Sequence, residues 1–403
     1  MLALEMRDNP TMHLMQGNDE TIELQQKLFR VQSLLEASRR VHATIRLNDV
    51  LEAVLEIAAK ELEAEGAFFF GTGAEFEERR LVYGAVPDDW TRWSDRIEIP
   101  GYTSAKLTGE RGEALAHLVV YRPRPLSLEE EDFLEGLALQ SALAIGNAQH
   151  HEKSLEWERV QLDLDAARQI QRSLLPQEIP DVQGYKLQMR STTCYEVGGD
   201  YVDVMPLPDG RLMMVLADVA GKGLASAMIS MTFRSSFRAI AGAGLPMEEV
   251  AQRLNQLHWQ EGVEARRRYV TAILLCLDPN THKLEAVNAG HNPAFLVGLT
   301  EQPILIGASG PPLGMLPGRT YETESWTFNP GAQLLLYTDG LTEVFQGDEE
   351  FGEERLLGLI GPTPQEAFLD HAWRSLAQFA GNAKQTDDMT ALYLYRAQQG
   401  GHQ

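Results

Sequence analysis

Hydrophobic positions change period several times along the chain, and each change predicts an element. From Thr21, Leu24, Leu28, Val31, Leu35, Ser38, His42 and Ile45 recur at alternating steps of four and three. That is the seam spacing of a helix, and Leu24 to Leu35 reads as a contact with a second copy. Asn48 or Asp49 caps a helix over Val50 to Ala64, in which Leu51, Val54, Leu55, Ala58 and Leu62 share a face. Strand-like runs follow at Ala67–Phe70, Arg80–Val86, Arg96–Ile99 and Ala114–Tyr121. A helix starts at Leu128, continues past Asn147 and ends at Leu174-Leu175-Pro176, because proline disfavours helix at the residue before it. Its last part, 148–175, keeps Leu155, Leu162, Ala166, Ile170 and Leu174 on one side. Ile170, Leu174 and Leu175 therefore have to pack on the following domain, on a twin, or on each in turn, as a helical linker able to carry a signal.

From Tyr185 strands and helices come in groups. Strands are expected at 185–192, 200–205 and 211–218, helices at 222–240 and 246–259. Strands are expected again at 269–278, 283–289, 293–299, 320–327 and 332–338, then helices at 352–360 and 364–380 and a last strand at 389–396. This order predicts an α+β fold with a C-terminal αββα sandwich, two antiparallel sheets flanked by helices, preceded by a helical linker and a small α/β domain. The domain reading is 1–19 disordered, 20–46 helical, 47–147 sensor-like, 148–176 linker, 177–397 catalytic and 398–403 tail.

Composition narrows the function. With 58 acidic against 35 basic residues, the formal charge of −23 argues against nucleic acid or an anionic membrane as partner. Cys194 and Cys276 alone make neither a disulfide framework nor a thiolate cluster, and the first 16 residues lack a signal-peptide pattern, so a cytoplasmic protein is expected.

Four acidic points stand at ends of apolar runs. Val197-Gly198-Gly199-Asp200-Tyr201-Val202-Asp203 leads through a hairpin turn at Pro208-Asp209-Gly210 to Leu216-Ala217-Asp218-Val219-Ala220-Gly221-Lys222-Gly223. The hairpin brings Asp200 beside Asp218, where the two carboxylates repel unless a cation lies between them. Thr338-Asp339-Gly340 and Thr386-Asp387-Asp388-Met389-Thr390 supply the other two. Oxygen-only donors select Mg²⁺ or Mn²⁺, and two such ions about 4 Å apart suit phosphate-ester hydrolysis. Neither cysteine begins a phosphatase loop closing on arginine, and Gly221-Lys222 lacks the spacing of a P-loop.

Two resemblances follow from these residues. Leu118 to Ser127, Glu129 to Leu134 and Ile145-Gly146-Asn147-Ala148 resemble the C-terminal end of GAF domains, which implies a sensor for a small ligand or partner protein. Residues 166–176, with the motifs at Asp200 and Asp218, Asn288-Ala289-Gly290-His291-Asn292-Pro293, Pro312-Leu313-Gly314, Tyr337 to Glu343 and Thr386 to Thr390, resemble the SpoIIE/RsbU branch of bacterial type 2C protein serine/threonine phosphatases. That resemblance implies that Asp200, Asp218, Asp339 and Asp387 hold two Mn²⁺ or Mg²⁺ ions, with the Val219 carbonyl as a further ligand. Asp203 and Asp388 then back these ligands or order their loops. Lys222 either approaches the phosphate or only starts a helix, and His291 belongs to a turn. The implied reaction is attack of a metal-bridging hydroxide on phosphoserine or phosphothreonine of a STAS-type anti-sigma-factor antagonist. The family's eukaryotic relatives place a histidine where Ala220 stands, so the general acid is open. Two alternatives remain beside this one: a phosphatase fold acting only as a binding module, and a diguanylate cyclase, which shares Gly198-Gly199-Asp200.

Overall fold

The structure is a computed structural model that describes residues 28, 31–71, 81–88, 99–109 and 112–398. The expected disorder at 1–19, the seam's start at Leu24 and the tail from 399 lie outside the described residues, as does most of the run at Arg96–Ile99. The chain divides into two compact units, Met1–Val160 and Gln161–Gln403.

In the first unit, helix α1 (31–41) and α2 (Leu47–Glu61) accompany strands β1 (Gly66–Gly71), β2 (Val82–Gly84), β3 (Tyr102–Thr108) and β4 (Ala114–Tyr121). The strands form an antiparallel sheet in the order β2-β1-β4-β3. Strand β3 was not among the expected strands. Mixed Tyr, Thr, Ser and Lys hide the alternation there, and only Ala105 and Leu107 are buried. Val50, Leu51, Val54, Ile57 and Ala58 of α2 pack with Ala67, Leu118 and Val120 of the sheet. Buried Arg122 explains the Arg-Pro-Arg-Pro segment. Its guanidinium binds the Leu62 carbonyl at the end of α2 and the Glu130 carboxylate at 2.8 Å, and that contact lowers the Glu130 carboxyl to about 2.

One helix, α3 (Leu128–Leu174), carries the boundary between the units within it. Residues 148–176 are therefore not a separate body. Leu137, Ala138, Ile145 and Ala148 are buried in the first unit, whereas Leu155, Leu162 and Ile170 are exposed. The expected burial of Ile170 does not occur within this chain. Leu174 is half-buried, and Leu175 packs on the core of the second unit.

The second unit has four layers. Strands β5 (Tyr185–Thr192), β6 (Tyr201–Pro206) and β7 (Leu212–Val219) precede helices α4 (Leu224–Ala241), α5 (Met247–Gln260) and α6 (Val263–Arg266). Then come β8 (Val270–Asp278), β9 (Lys283–Ala289), β10 (Ala294–Val297), β11 (Ile304–Ile306), β12 (Glu324–Thr327) and β13 (Gln333–Tyr337). A small hairpin, β14 (Phe345–Gln346) and β15 (Glu349–Glu350), leads to α7 (Gly352–Gly358), α8 (Phe368–Ala380) and β16 (Met389–Arg396). One sheet runs β11-β10-β13-β16-β5 and the other β12-β9-β8-β7-β6, each wholly antiparallel.

Alternation along the central strands sends one set of side chains between the sheets and the other under the helices. Met214, Leu216, Ile273 and Leu275 meet Leu334, Leu336, Leu392 and Leu394 in the middle. Met213, Val215 and Leu274 face Phe237, Val250 and Leu254 of α4 and α5. Leu335 and Tyr393 face Phe368 and Leu376 on the other side. The expected αββα sandwich is what forms, with the short β11 and the β14–β15 hairpin as additions too brief to leave a periodic signal. Among the described residues, no helix is long and apolar enough to cross a membrane.

Candidate active site

The register of the sheets assembles the aspartates. Tyr201 pairs with Ala217 across β6 and β7, so the next step along the ladder sets Asp200 opposite Asp218. In the facing sheet Tyr337 pairs with Ala391, and Thr338 N donates to the Thr390 carbonyl at 2.9 Å. That carries Asp339 to the loop that brings Asp387 and Asp388 into β16. Glycines permit the approach: a Cβ at Gly340 would collide with the Asp388 carbonyl, and one at Gly199 would stand 3.2 Å from the Val219 carbonyl.

Electrostatics couple the four carboxylates. The Asp200 carboxyl is raised well above its ordinary value, by burial first and by Asp218 next. Burial, Asp339 and Asp387 push Asp218 up to about 7, and burial with Asp387 raises Asp339. Glu343, which the sequence reading did not single out as a site residue, is raised by burial and by Asp339. The group is thus short of positive charge.

Lys222 supplies some of it. Its ammonium stands 2.6 Å from the Asp387 carboxylate and donates to the Thr386 carbonyl at 2.7 Å. This departs from the expectation that Lys222 only opens α4 and points to solvent, because the unneutralised carboxylate draws it back. Among the described residues, no three His, Cys, Asp or Glu side chains converge tightly enough to make a finished metal cage. The oxygen donors fit a hard divalent cation nevertheless. They are buried or half-buried, repel one another and already attract the Lys222 ammonium.

Asp388 orders the surrounding loops. Its two carboxylate oxygens accept from Cys194 N at 2.7 Å and Gly199 N at 2.8 Å. Asp203 is fully buried, with both oxygens on the Arg238 guanidinium at 2.6 and 2.8 Å and the Tyr201 hydroxyl donating to it. His291 is buried behind Asp218. Its Nδ1 lies 3.0 Å from the Thr271 hydroxyl, which donates to the Asp218 carbonyl at 3.3 Å, and burial lowers the imidazole to about 4. It is neutral at pH 7.

Two supporting residues escaped the sequence reading. Thr338 is completely buried and donates its hydroxyl to Asp200 at 2.8 Å, tying one sheet's strand end to the other's. Gln171, near the end of α3, donates to the Gly198 carbonyl at 2.7 Å and accepts from Gly198 N at 3.2 Å, while Arg168 donates to the Glu196 carbonyl at 2.6 Å. Both glutamine and threonine sit inside the motifs, but a single sequence does not say that they reach across.

The four-layer sandwich of two antiparallel sheets between helices matches the fold of PP2C-type phosphatase domains. The SiaA-PP2C domain of Pseudomonas aeruginosa shares this fold, with a TM-score of 0.52 at 20% identity over 60% of this chain and 98% of that one. Residues 208–397 match the family model of Stage II sporulation protein E (SpoIIE), and the C-terminal unit is a SpoIIE-type phosphatase domain. The chain is 32% identical over 184 residues to Phosphoserine phosphatase RsbP of Bacillus subtilis, covering 45% of each. It is 27% identical over 263 residues to Protein IcfG of Synechocystis sp., covering 58% of this chain and 42% of that protein. The chain spans less than half the length of these two relatives.

Proposed function

We propose that this protein is a metal-dependent protein serine/threonine phosphatase, hydrolysing phosphoserine or phosphothreonine on a partner protein. The observation that carries the reading is the convergence of Asp200, Asp218, Asp339 and Asp387 on one end of the sandwich, where burial and neighbouring carboxylates raise the carboxyls of Asp200, Asp218 and Asp339. These four side chains, with the Val219 carbonyl, would hold Mn²⁺ or Mg²⁺. Such an ion, when bound, would supply Lewis-acid chemistry: polarisation of a phosphoryl oxygen and a more acidic water. Thr338 fixes the Asp200 carboxylate, Asp388 fixes the Gly199 amide, and Lys222 must leave Asp387 or share it when a cation enters. Neutral buried His291 positions Thr271 behind Asp218 and is not the acid.

The partner we infer is a phosphorylated STAS-type anti-sigma-factor antagonist, a reading supported by the resemblance to the SpoIIE/RsbU branch and by the likeness to RsbP. The N-terminal unit, with its GAF-like pattern, is proposed as the regulator, and the hold of Gln171 on Gly198 is the link by which α3 would act on the Asp200 loop. Exposed Leu28, Val31 and Leu35 support a homodimer. The full-length protein, given a phosphorylated STAS protein, should release phosphate with Mn²⁺ and stop on chelation. Release that survives chelation, or none with any divalent ion, refutes the reading.

A further inference from the structure

Beside the aspartate cluster, and separated from it only by the loops that carry two of the ligands, lies an apolar cavity of about 210 Å³. Trp373, Leu376 and Ala377 of α8 line it together with Val344, Phe345 and Met389. Gly340 and Thr386 are also among the lining residues. Gly340 directly follows Asp339 and Thr386 directly precedes Asp387, so the same two loops face the phosphoryl site on one side and the cavity on the other.

We propose that this cavity receives an apolar side chain of the phosphoprotein substrate, a leucine or an aromatic residue a few positions from the phosphorylated serine or threonine. The proposal rests on the phosphatase reading above and adds a specificity determinant to it. Three observations favour this occupant. First, the size suits a side chain: an apolar cavity of about 150 Å³ takes a benzene ring, whereas sites for whole drug-sized ligands run to about 300–1,000 Å³. Second, an extended peptide advances about 3.3 Å per residue, so a residue two or three positions from a phosphoserine at the aspartates comes within reach of a wall that Gly340 and Thr386 share with them. Third, Lys384 also lines the cavity, in a chain with a formal charge of −23, and offers a partner to an acidic residue next to the apolar one.

The pocket has a mechanical consequence as well. Filling it buttresses the segment from Lys384 to Met389 from behind, in the place where Asp387 and Asp388 must be held. Substrate recognition and ligand positioning then act on one loop.

The test is a scan with synthetic phosphoserine peptides in a Gly, Ser and Ala background, assayed with the full-length protein and Mn²⁺. A single leucine is placed at each of the three positions before and after the phosphoserine, and a second scan places aspartate likewise. Leucine at one position should raise kcat/KM about tenfold or more over alanine, the scale on which a hydrophobic pocket discriminates. Ala377→Trp, at an exposed wall position, fills the cavity and should bring that ratio below about threefold; Phe345→Ser, which removes the apolar lip, should lower it as well. Because the ratio is taken within each protein form, incomplete folding or metal loading cancels. An active wild-type protein with a flat leucine scan overturns the pocket and leaves the phosphatase reading standing, as does a preference that survives in both variants. Failure of the wild-type protein to hydrolyse any peptide overturns the phosphatase reading and the pocket with it.

Discussion

Asp200 and Asp203 stand three residues apart at the start of the same strand, both buried, and they are treated in opposite ways. Asp203 is closed off: Arg238 forks onto both its oxygens, Tyr201 donates to it, and the amide of Val204 takes a further position at 2.9 Å. Asp200 receives only neutral hydroxyls, from Thr338 and Thr390, and otherwise looks at Asp218 and Asp388, which push its carboxyl upward after burial has done so. The first carboxylate has its counter-charge within the chain and joins α4 to β6. The second lacks one, and in the proposed function a cation supplies it. Burial alone therefore does not mark a functional acid; burial without a counter-charge does.

The comparison breaks most sharply by substitution in the open cluster. Asp218→Asn and Asp339→Asn should lower Mn²⁺-dependent turnover at least about a thousandfold, above 4 kcal/mol of transition-state stabilisation. The metal-free variants should melt no lower than the wild type, since each loses a repulsion. Turnover within tenfold of wild type in either would remove that residue from the metal site.

In the closed pair the same kind of change should strike the fold. Asp203→Ala strands Arg238 and should cost about 2–3 kcal/mol in urea unfolding, less than for a fully dry pair because the arginine is 38% exposed. At saturating Mn²⁺, turnover per folded molecule should stay within a few-fold. A large loss of turnover without a loss of stability would make Asp203 part of the site.

Titration probes the open cluster directly. Carboxyls raised in the folded state stabilise it below their unfolded value, near 4, and that stability is lost as pH climbs through the folded value, about 7 for Asp218. The chelated protein should therefore lose about 2 kcal/mol between pH 5 and pH 8, and Mn²⁺ should flatten the curve. A chelated protein that grows more stable over that range would show the cluster to be neutralised already.

The smallest effect concerns Lys222, whose pair with Asp387 is about half exposed and so worth well under 1 kcal/mol to stability. Lys222→Ala should tighten the apparent Mn²⁺ requirement a few-fold by freeing Asp387. Weaker Mn²⁺ binding would mean that the lysine assists the cation's site instead of competing for it.

Periodicity and the order of the motifs were enough to place nearly all strands of the sandwich and to name the four aspartates, because these are local properties: alternation declares a strand, and an acidic residue at a strand's end remains there in any packing. β3 was missed where polar residues broke the alternation, and β11 where three residues leave no pattern. What the tertiary structure alone decided is which charge meets which. Arg238 reaches Asp203 from 35 residues away, Thr338 reaches Asp200 from 138, Lys222 reaches toward Asp387 by way of a carbonyl 164 residues off, and Gln171 reaches Gly198 from 27. The cavity behind Gly340 and Thr386 likewise exists only where α8 and the β14 segment are brought together. Such pairings depend on distances between elements that the spacing of residues does not encode, so aspartates of identical appearance in the sequence become a structural tie at one position and part of a mutually repelling cluster at another.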